Sequence, residues 1–453
     1  MFTPVCSPVR QRRHPHAPAL VSRHRRWYGG SRAAILLLAA PLMLPLLGAT
    51  GCGSDAAKPA GGGAGAGLAV LGSDYKVTTI SLYDPVSPVL VADACVHSGS
   101  AGPVLTQPLS GDVTLPSEAQ LGGELVVIDR INAVVSFVDP SSCAARAQIS
   151  VSTGGFKANP RDIITVSAHK AYVTRYESNP TPTADPADFD EGDDLLVIDP
   201  QAVGAGAQPV LGRISLAGYA TGPAGSGIQA RPDRGVFSGG KIYVTLGNLN
   251  TDFSAAGPGR VVIIDPVMDT VTGAIDLPAE IKGCSAIAPA PTSQRLYVAC
   301  GGSFSDADQA AGSGLVEIDL TGATPSSKVV VPASAVGNLP LNPFYAAVLG
   351  ETAFVGTLGV SDFNTGAVIT PDSFYEVPLR AGASATKLLD AAGAYNFGTV
   401  AVDAARKQVF LPDGDAVTPL VHVFDVSVDP PVAVRTFDAN PGAHLAPREI
   451  AWY

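Results

Sequence analysis

Short apolar runs separated by turn residues follow one another along the chain from residue 68 onward. The clearest group lies between Asn159 and Gly218, where four runs of four to six residues are rich in Val, Ile, Tyr and Thr. These runs are Ile163–Val166, Ala171–Arg175, Leu195–Ile198 and Leu211–Leu216. Runs of this length and composition are typical of strands, and no long segment after residue 60 keeps the apolar period of a helix. We therefore predict a four-stranded antiparallel meander for this group.

The same arrangement of runs recurs along the chain in seven repeats of roughly fifty residues. In each of the first four repeats one run ends at an Asp-Pro pair: Asp84-Pro85, Asp139-Pro140, Asp199-Pro200 and Asp265-Pro266. Such a pair favours a turn, because Asp accepts nearby backbone N–H groups and Pro removes a donor. The pattern predicts an all-β fold: a seven-bladed β-propeller of four-stranded antiparallel blades formed by residues 68–453.

The two ends of the propeller are predicted to close the ring together. The first repeat has three runs and lacks an innermost strand, and the second repeat also shows only three runs. The last residues, Pro447–Tyr453, read PREIAWY and are similar to PRDIITV, which begins at Pro160. We expect this C-terminal segment to be the missing strand of the first blade, because closure hides edges that an open array would expose.

The repeats resemble a known family in the second and third strands. Tyr172-Val173-Thr174, Tyr243-Val244-Thr245 and Tyr297-Val298-Ala299 are each followed by a third strand similar to VIDP. These sequences resemble the YVTN-type propeller repeat of bacterial and archaeal envelope proteins, although Arg175, Leu246 and Cys300 stand where that motif has Asn. The resemblance covers most of residues 68–453 and implies the propeller fold, while propellers serve as enzymes, receptors and scaffolds alike.

Residues 1–51 are predicted to be a lipoprotein-type signal peptide. The apolar run Ala33–Gly48 is short for a membrane span and suits the hydrophobic region of a secretory signal. It leads into Ala49-Thr50-Gly51-Cys52, which resembles the bacterial lipobox and implies that Cys52 is lipidated and becomes the mature N-terminus. The alternative is ordinary signal cleavage nearby, with Cys52 as an incidental thiol.

Residues 52–67 would then form the lipidated Cys and a Gly/Ala tether that lets the propeller stand off a membrane. The residue after Cys52 is Gly and not Asp. By resemblance to Gram-negative sorting rules, this implies a lipid-anchored protein of the cell envelope, at the outer membrane of a Gram-negative bacterium.

The charge of the chain excludes one class of partner. Seven of the 29 basic residues lie in the first 51 residues, which carry no acidic residue, so the remainder has 22 basic against 40 acidic side chains, a net charge of −18. Such a domain repels nucleic acid and anionic lipid headgroups. We therefore expect no nucleic-acid partner, and contact with the membrane through the lipid anchor only.

Four cysteines remain in the predicted mature domain, and an oxidising envelope permits disulfides. Cys284 and Cys300 lie in two runs whose midpoint is the turn near Thr292, so they should face each other on adjacent antiparallel strands. A Cys284–Cys300 bridge would leave Cys95 and Cys143 to pair by default. Free buried thiols are the alternative for both pairs.

Four long loops between second and third strands are expected to share one face of the propeller: Tyr176–Asp193, Gly247–Gly259, Gly301–Gly314 and Leu358–Asp372. Long loops on a rigid frame are where binding usually occurs. We predict that exposed carboxylates of these loops make the contacts with a partner: Asp188, Asp190, Asp193, Asp252, Asp306 and Asp362. Asp188, Asp190 and Asp193 could also hold Ca²⁺, although their spacing is not that of an EF-hand and a solvated acidic loop is the alternative. No other cofactor is expected.

Arginines recur at the start of the innermost strands: Arg161, Arg231, Arg234 and Arg448. Because innermost strands line the central channel, Arg161 and Arg234 in particular could bind an anionic group at its mouth. The alternative is that these arginines pair with the neighbouring acids Asp162, Asp233 and Glu449.

The sequence contains no HExxH, GxSxG or P-loop motif, so no catalytic residue is assigned. The function predicted is that of a binding or scaffold module of the cell envelope, whose partner is an envelope protein or a surface ligand. Two alternatives stay open: a propeller hydrolase, similar to a lactonase, with a metal at the channel, and a purely structural envelope protein.

Overall fold

The computed structural model describes residues 67–453 except residues 205, 291–293, 363, 381 and 416. Its strands form seven four-stranded antiparallel sheets, one for each predicted repeat, and one additional two-stranded ribbon. The prediction of a seven-bladed β-propeller is therefore confirmed. The predicted signal peptide and the lipidation site Cys52 lie outside the described residues.

The first three blades follow the order of the predicted repeats. Blade 1 contains β1 (Leu68–Ser73), β2 (Thr78–Asp84), β3 (Val89–His97) and the last strand of the chain, β30 (Pro447–Trp452). Blade 2 contains β4 (Val113–Thr114), β5 (Leu125–Asp129), β6 (Val134–Asp139) and β7 (Ala144–Ser150). Blade 3 contains β8 (Pro160–Ser167), β9 (Lys170–Ser178), β10 (Gly192–Ile198) and β11 (Val210–Ser215).

The remaining four blades complete the ring. Blade 4 contains β12 (Pro232–Ser238), β13 (Lys241–Leu246), β14 (Arg260–Asp265) and β15 (Thr270–Asp276), and blade 5 contains β16 (Cys284–Pro289), β17 (Arg295–Gly301), β18 (Ser313–Asp319) and β19 (Ser326–Pro332). Blade 6 contains β20 (Ala347–Leu349), β21 (Thr352–Gly356), β24 (Ser373–Pro378) and β25 (Thr386–Asp390), with the ribbon β22 (Val360–Ser361) and β23 (Val368–Thr370) inserted. Blade 7 contains β26 (Ala401–Asp403), β27 (Gln408–Asp413), β28 (Leu420–Asp425) and β29 (Val432–Asp438).

Helical structure in the described part of the chain is limited to single 3₁₀ turns at Leu121–Gly123, Thr153–Gly155, Pro186–Asp188, Ala217–Tyr219, Ala310–Gly312 and Ala333–Val336. Across these residues no helix has the length and apolar character needed to span a membrane.

The core lies between neighbouring blades. One cluster, for example, joins Val135 and Phe137 of blade 2 to Ile163, Val173 and Leu196 of blade 3. Because each blade packs face to face on the next, both faces of the middle strands are buried, and Leu195–Ile198 is buried at every position. This explains why the third strands read as continuous apolar runs and the outer strands alternate.

The C-terminal strand closes the ring as predicted. β30 pairs antiparallel with β1, and Leu68 lies opposite Trp452 and Val70 opposite Ile450. Gly67 and Tyr453 exchange two backbone hydrogen bonds at the end of this pairing. β30 is thus the innermost strand of blade 1, contributed by the opposite end of the chain.

The Asp-Pro turns have the mechanical role that the sequence indicates. The side chains of Asp84, Asp139, Asp199 and Asp265 each accept the backbone N–H group two residues further along the chain. Hydrogen bonds from the Ser141 hydroxyl and backbone and from the Ser142 hydroxyl hold the pKa of the Asp139 carboxyl below its usual value. These carboxylates therefore stabilise the turns by accepting backbone hydrogen bonds.

Both predicted disulfides are present. Cys284 of β16 is bonded to Cys300 of β17 across the two strands, as the spacing indicated. Cys95 of β3 is bonded to Cys143, which lies in the turn before β7. The second bond joins the outer strands of blades 1 and 2 and therefore reinforces the ring next to the closure.

Removing Arg448–Tyr453 should strongly destabilise the propeller. The deletion leaves β1 with an unpaired edge and removes the buried side chains Ile450 and Tyr453 from the interblade core. Losses of this kind predict a melting temperature lower by roughly 10 °C or more, measured by calorimetry. The matched control removes residues 53–66, which precede β1, and should leave the melting temperature unchanged. Equal melting temperatures for the two truncations would contradict a stabilising role for the closure.

Replacing Cys95 and Cys143 together by Ser should lower the free energy of unfolding by about 4 kcal/mol, because the bond closes a loop with a sequence separation of 48. The Cys284→Ser, Cys300→Ser pair, with a separation of 16, should lose about 3 kcal/mol. Urea unfolding of the oxidised proteins measures both losses. Four alkylatable thiols in the unreduced wild-type protein would contradict both bonds.

Candidate functional site

The strand directions define two faces of the propeller. The loops from second to third strands and the segments that enter each next blade lie on one face, which we call the long-loop face. The turns from first to second and from third to fourth strands lie on the other, the short-turn face. The innermost strands therefore begin at the long-loop face, and their first residues surround that mouth of the channel.

The predicted acidic contacts do not all lie at the surface. Asp188 and Asp252 are exposed, and Asp306 and Asp362 are partly exposed. Asp306 pairs with Lys282 at 2.8 Å. Asp190 and Asp193, in contrast, are only 2% and 3% exposed, so the expectation that they are exposed contacts is wrong.

Both buried aspartates hold backbone in place. Asp193 accepts hydrogen bonds from the backbone N–H groups of Ala230 and Arg231, where the chain enters blade 4. Ser313 and Asp372 bind the entry segments of blades 6 and 7 from similar positions at the start of a third strand. Burial raises the pKa of Asp193, and its backbone N–H donors act in the opposite direction. Asp193 is therefore a link between blades.

The loop that carries Asp188 and Asp190 is anchored by the residue that replaces the motif's Asn. Arg175 is fully buried, pairs with Asp194 at 2.6 Å and donates to the Phe189 carbonyl at 2.6 Å. Asp190 accepts from Thr183 N–H and the Asn179 side chain within the same loop. The loop is thus held by its own polar contacts.

These contacts bear on the calcium prediction. The Asp193 carboxylate is directed to the entry of blade 4, and the Asp190 carboxylate to Asn179 and Thr183. Among the described residues, no group of three or more His, Cys, Asp or Glu side chains is arranged to hold a metal ion. Asp188 and Asp190 share Thr183 as a partner, whereas the Asp193 carboxylate binds the entry of blade 4, and calcium binding stays a prediction.

The channel mouth is organised by the same irregularity in three innermost strands. Three residues occupy the same position in their innermost strands, because each pairs with the same position of the second strand of its blade: Ile450, Ile163 and Gly235. A β-bulge precedes each of them in the innermost strand. In each of these strands, the two residues directly before Ile163, Gly235 or Ile450 place their side chains at two levels of the channel, and these levels form two layers. The upper layer, nearer the long-loop face, contains Arg161, Asp233 and Arg448, and the lower layer contains Asp162, Arg234 and Glu449.

The Thr of the Tyr-Val-Thr sequences holds the bulges of blades 3 and 4. Thr174 Oγ1 accepts the N–H group of Asp162 and donates to the Asp233 carbonyl of the next blade. Thr245 does the same for Arg234 and the Ser285 carbonyl. The hydroxyl satisfies backbone groups that the bulge removes from strand pairing, and it ties consecutive innermost strands together.

The lower layer is a closed polar network. Arg234 lies 4.0 Å from the Asp162 carboxylate and 3.8 Å from the Glu449 carboxylate. Its guanidinium donates to the Leu115 carbonyl and to Thr114 Oγ1. Burial alone would lower the pKa of Arg234, but Glu449 and Asp162 raise it. For Arg234 the pairing alternative holds, and its positive charge is already used within the fold.

The upper layer is different, because Arg161 has no polar partner in the part of the chain that the structure describes. Its guanidinium stacks on the Tyr176 ring at 4.3 Å, and among the described residues it makes no hydrogen bond or ion pair. Its Nε atom is buried without an acceptor. Burial lowers the pKa of Arg161, and the nearby Asp233 carboxylate acts in the opposite direction. A half-buried guanidinium with an N–H group that lacks an acceptor favours an incoming anion.

Arg448 occupies the equivalent position in blade 1. Its guanidinium lies 5.2 Å from the centre of the Tyr75 ring and reaches only the Ser73 and Tyr395 carbonyls, each at 3.4 Å. Within the described ranges it has no carboxylate within 4.0 Å. In blade 2, which lies between Arg161 and Arg448, the mouth carries the ion pair of Arg130 and Asp112.

A second arginine, Arg231, packs against the same tyrosine ring as Arg161. Arg231 is fully buried, pairs with Glu177 at 2.9 Å and lies 4.9 Å from the centre of the Tyr176 ring. Tyr176 therefore lies between two guanidinium groups. Neither Tyr176 nor Tyr75 is marked by any pattern in the sequence, since both belong to the mouth only through the packing of separate blades.

Arg234→Met should destabilise the protein much more than Arg161→Met. Arg234→Met leaves Asp162 and Glu449 without their cation and should lower the free energy of unfolding by about 3–5 kcal/mol. Arg161→Met removes only a stacking contact and should cost about 1 kcal/mol or less. Urea unfolding of the two variants measures the difference, and equal losses would contradict this division of roles.

Comparisons with known proteins agree with the fold. No protein-family model matches the sequence, and no curated protein matches it either. The chain is similar to the solved structure of a candidate 6-phosphogluconolactonase of Bacteroides uniformis ATCC 8492, with 12% identity, a TM-score of 0.52 and a match covering 86% of this chain and 100% of that one. It is also similar to a hypothetical selenium-binding protein of Sulfolobus tokodaii, with 10% identity, a TM-score of 0.54 and coverage of 85% and 93%. At such identities the likeness shows the propeller fold alone.

Proposed function

We propose that this protein is a lipid-anchored binding module of the cell envelope that holds an anionic group of its partner at the channel mouth on the long-loop face. The observation that carries the proposal is Arg161, a half-buried guanidinium at the mouth whose buried Nε has no acceptor among the described residues. Arg448 supplies a second cation at the equivalent position of blade 1. A local excess of cations in a domain of charge −18 attracts anions selectively.

The long loops supply the rim of this site. Asp188 and Asp252 are exposed at the loop tips, while the Phe253 ring lies 4.6 Å from the buried Arg231 and is half exposed. A cationic centre surrounded by carboxylates selects for partners of mixed charge. An envelope protein or a surface ligand with an acidic group and basic surroundings fits this arrangement.

The path of the chain supports the orientation that an anchor needs. β1 begins at the short-turn face, so Gly67, the first residue that the structure describes, lies at that face. A tether of about fifteen residues has a mean span of roughly 22 Å. A lipid at Cys52 would therefore hold the short-turn face towards the membrane and direct the mouth away from it.

The lactonase-like alternative receives less support at this site. One propeller of the same fold carries a lactonase name. The upper layer of this channel, however, offers two arginines and one carboxylate, and no cluster of metal-ligating side chains occurs among the described residues. A guanidinium pair binds an anion but supplies neither a nucleophile nor a general base.

Affinity capture from envelope extract tests the proposal, with residues 53–453 as bait. A bait carrying Arg161→Met and Arg448→Met should lose the partner that wild type retains, because the anionic group has no cation to bind. Binding to wild type should also weaken by about tenfold or more between 0.15 M and 0.5 M salt, since the contact is electrostatic.

The matched control is Arg380→Met, an exposed arginine in the turn before β25 on the short-turn face. This bait should capture as wild type does. Equal loss with all three arginines, or retention by the double variant, would contradict a specific site at the mouth. Capture of no partner by any bait would favour the structural or enzymatic alternative.

A further inference from the structure

The channel contains a cavity of about 420 Å³, which we call the channel cavity. Much of its wall is formed by the innermost strands of blades 5, 6, 7 and 1, at residues 286–289, 346–348, 400–402 and 450–452. Every one of these side chains is apolar. Small-molecule sites in proteins are mostly apolar cavities of about 300–1,000 Å³ with a few polar groups, so the channel cavity has the size and the wall of such a site.

Blade 2 fills the other side of the channel. Its innermost strand, β4, has only two residues, and the segment 115–122 that follows lines the cavity. Leu115 N–H donates to Glu449 and Ser117 N–H donates to Asp162, so this segment is bonded to the innermost strands of blades 1 and 3. The open part of the channel is therefore the part beside blades 5, 6 and 7.

The charged groups that line the cavity are bonded within the fold. Glu449 accepts hydrogen bonds from the Thr114 hydroxyl and from Leu115 N–H, and its carboxylate lies 3.8 Å from the Arg234 guanidinium. Glu118 accepts the N–H group of Phe237. Because these groups are already paired and the rest of the wall is mainly apolar, the cavity favours the uncharged, apolar body of a ligand.

The cavity meets a cation of the mouth at its end on the long-loop face. Phe344 lines the cavity, lies in the segment that enters blade 6 and is 51% exposed. The segments that enter blades 6, 7 and 1 are bonded to one another there: the Asn342 side chain donates to the Phe397 carbonyl, and Thr399 N–H donates to the Arg448 carbonyl. Thr399 also lines the cavity. Arg448 therefore stands beside the opening of the cavity at the mouth.

We propose that the channel cavity and Arg448 together bind an amphipathic anion, a molecule with one anionic head group and an unbranched apolar chain. The head group accepts hydrogen bonds from the Arg448 guanidinium, and the chain lies in the cavity against Phe344, Val400 and Val402. Burial of the chain supplies most of the affinity, and the guanidinium supplies the preference for an anion. This inference rests on the proposed function, because it gives the chemical class of the anionic ligand that the mouth holds.

Trp452 allows a direct test, because it lies in the wall of the cavity with its indole N–H donated to the Val402 carbonyl. The chain has two tryptophans, and Trp27 lies in the predicted signal peptide, so Trp452 is the single tryptophan of residues 53–453. Its fluorescence is recorded during titration with decanoate, decyl phosphate, decyltrimethylammonium and butyrate.

We expect a saturable change with decanoate or decyl phosphate at a concentration at least tenfold lower than with the other two probes. Decyltrimethylammonium has the same chain and the opposite charge, and butyrate has the head group without the long chain. A fatty acid and a lipid phosphate share the proposed chemistry, and the tighter of the two anions identifies which of them the site takes.

Three variants locate the head group and the chain, with folding checked by thermal melting. Arg448→Met should remove the preference for decanoate over decyltrimethylammonium. Ala119→Phe places a ring in the cavity from the segment 115–122 and leaves the arginines unchanged, and it should weaken decanoate binding at least tenfold. Phe344→Ser removes apolar surface at the opening and should also weaken it. The matched control, Ala433→Phe, lies at an exposed position of the outer strand β29 and should bind decanoate as wild type does.

The proposal is overturned if no titration saturates, if the decyl compounds of opposite charge bind alike, or if folded Ala119→Phe or Phe344→Ser protein binds decanoate as wild type does. The capture experiment separates this failure from failure of the proposed function. If decanoate does not bind but the bait with Arg161→Met and Arg448→Met still loses its partner, only the channel ligand is wrong. If decanoate binds as expected but that bait retains its partner, the partner contact at the mouth is wrong and the ligand site stands.

Discussion

The pairing of β1 with β30 is the contact on which the rest of the molecule depends. Hydrophobic clusters lie between blades, so a blade is stable only when it has a neighbour on both sides. The closure supplies this for blades 1 and 7, where Leu68 and Val70 pack with Phe410 and Val423 and with Ile450 of the closing strand. It also brings Arg448 and Glu449 to the channel, so the same strand completes both the ring and its polar interior.

In the closed ring, the β-bulge at the start of the innermost strands determines whether an arginine meets carboxylates of neighbouring blades. The bulge at the start of the innermost strands presents two consecutive side chains at different depths of the channel. Arg234 lies in the lower layer, where Asp162 and Glu449 neutralise it, whereas Arg161 lies in the upper layer against Tyr176 without an acceptor. A difference of one residue along a strand thus separates a structural cation from one that can bind a ligand.

The channel mouth on the long-loop face combines the guanidinium groups of Arg161 and Arg448 with exposed carboxylates of the surrounding loops. In the layer below, Arg234 is paired with Asp162 and Glu449 within the fold. A tethered propeller of this kind would present the mouth to partners away from the membrane.

The sequence by itself determined the repeats, the ring closure and the Cys284–Cys300 bond, because these follow from local strand and turn preferences and from antiparallel register. It left Cys95 and Cys143 to pair by elimination. It did not reveal β4, since two residues carry no strand pattern, nor the burial of Asp190 and Asp193, since an acidic loop has the same composition whether it is solvated or bonded inward. It gave the arginines at the strand starts but could not tell Arg161 from Arg234. Only the tertiary structure distinguished these two arginines. The partners of each guanidinium come from other blades that are distant in the chain, and they come close to it only in the closed ring.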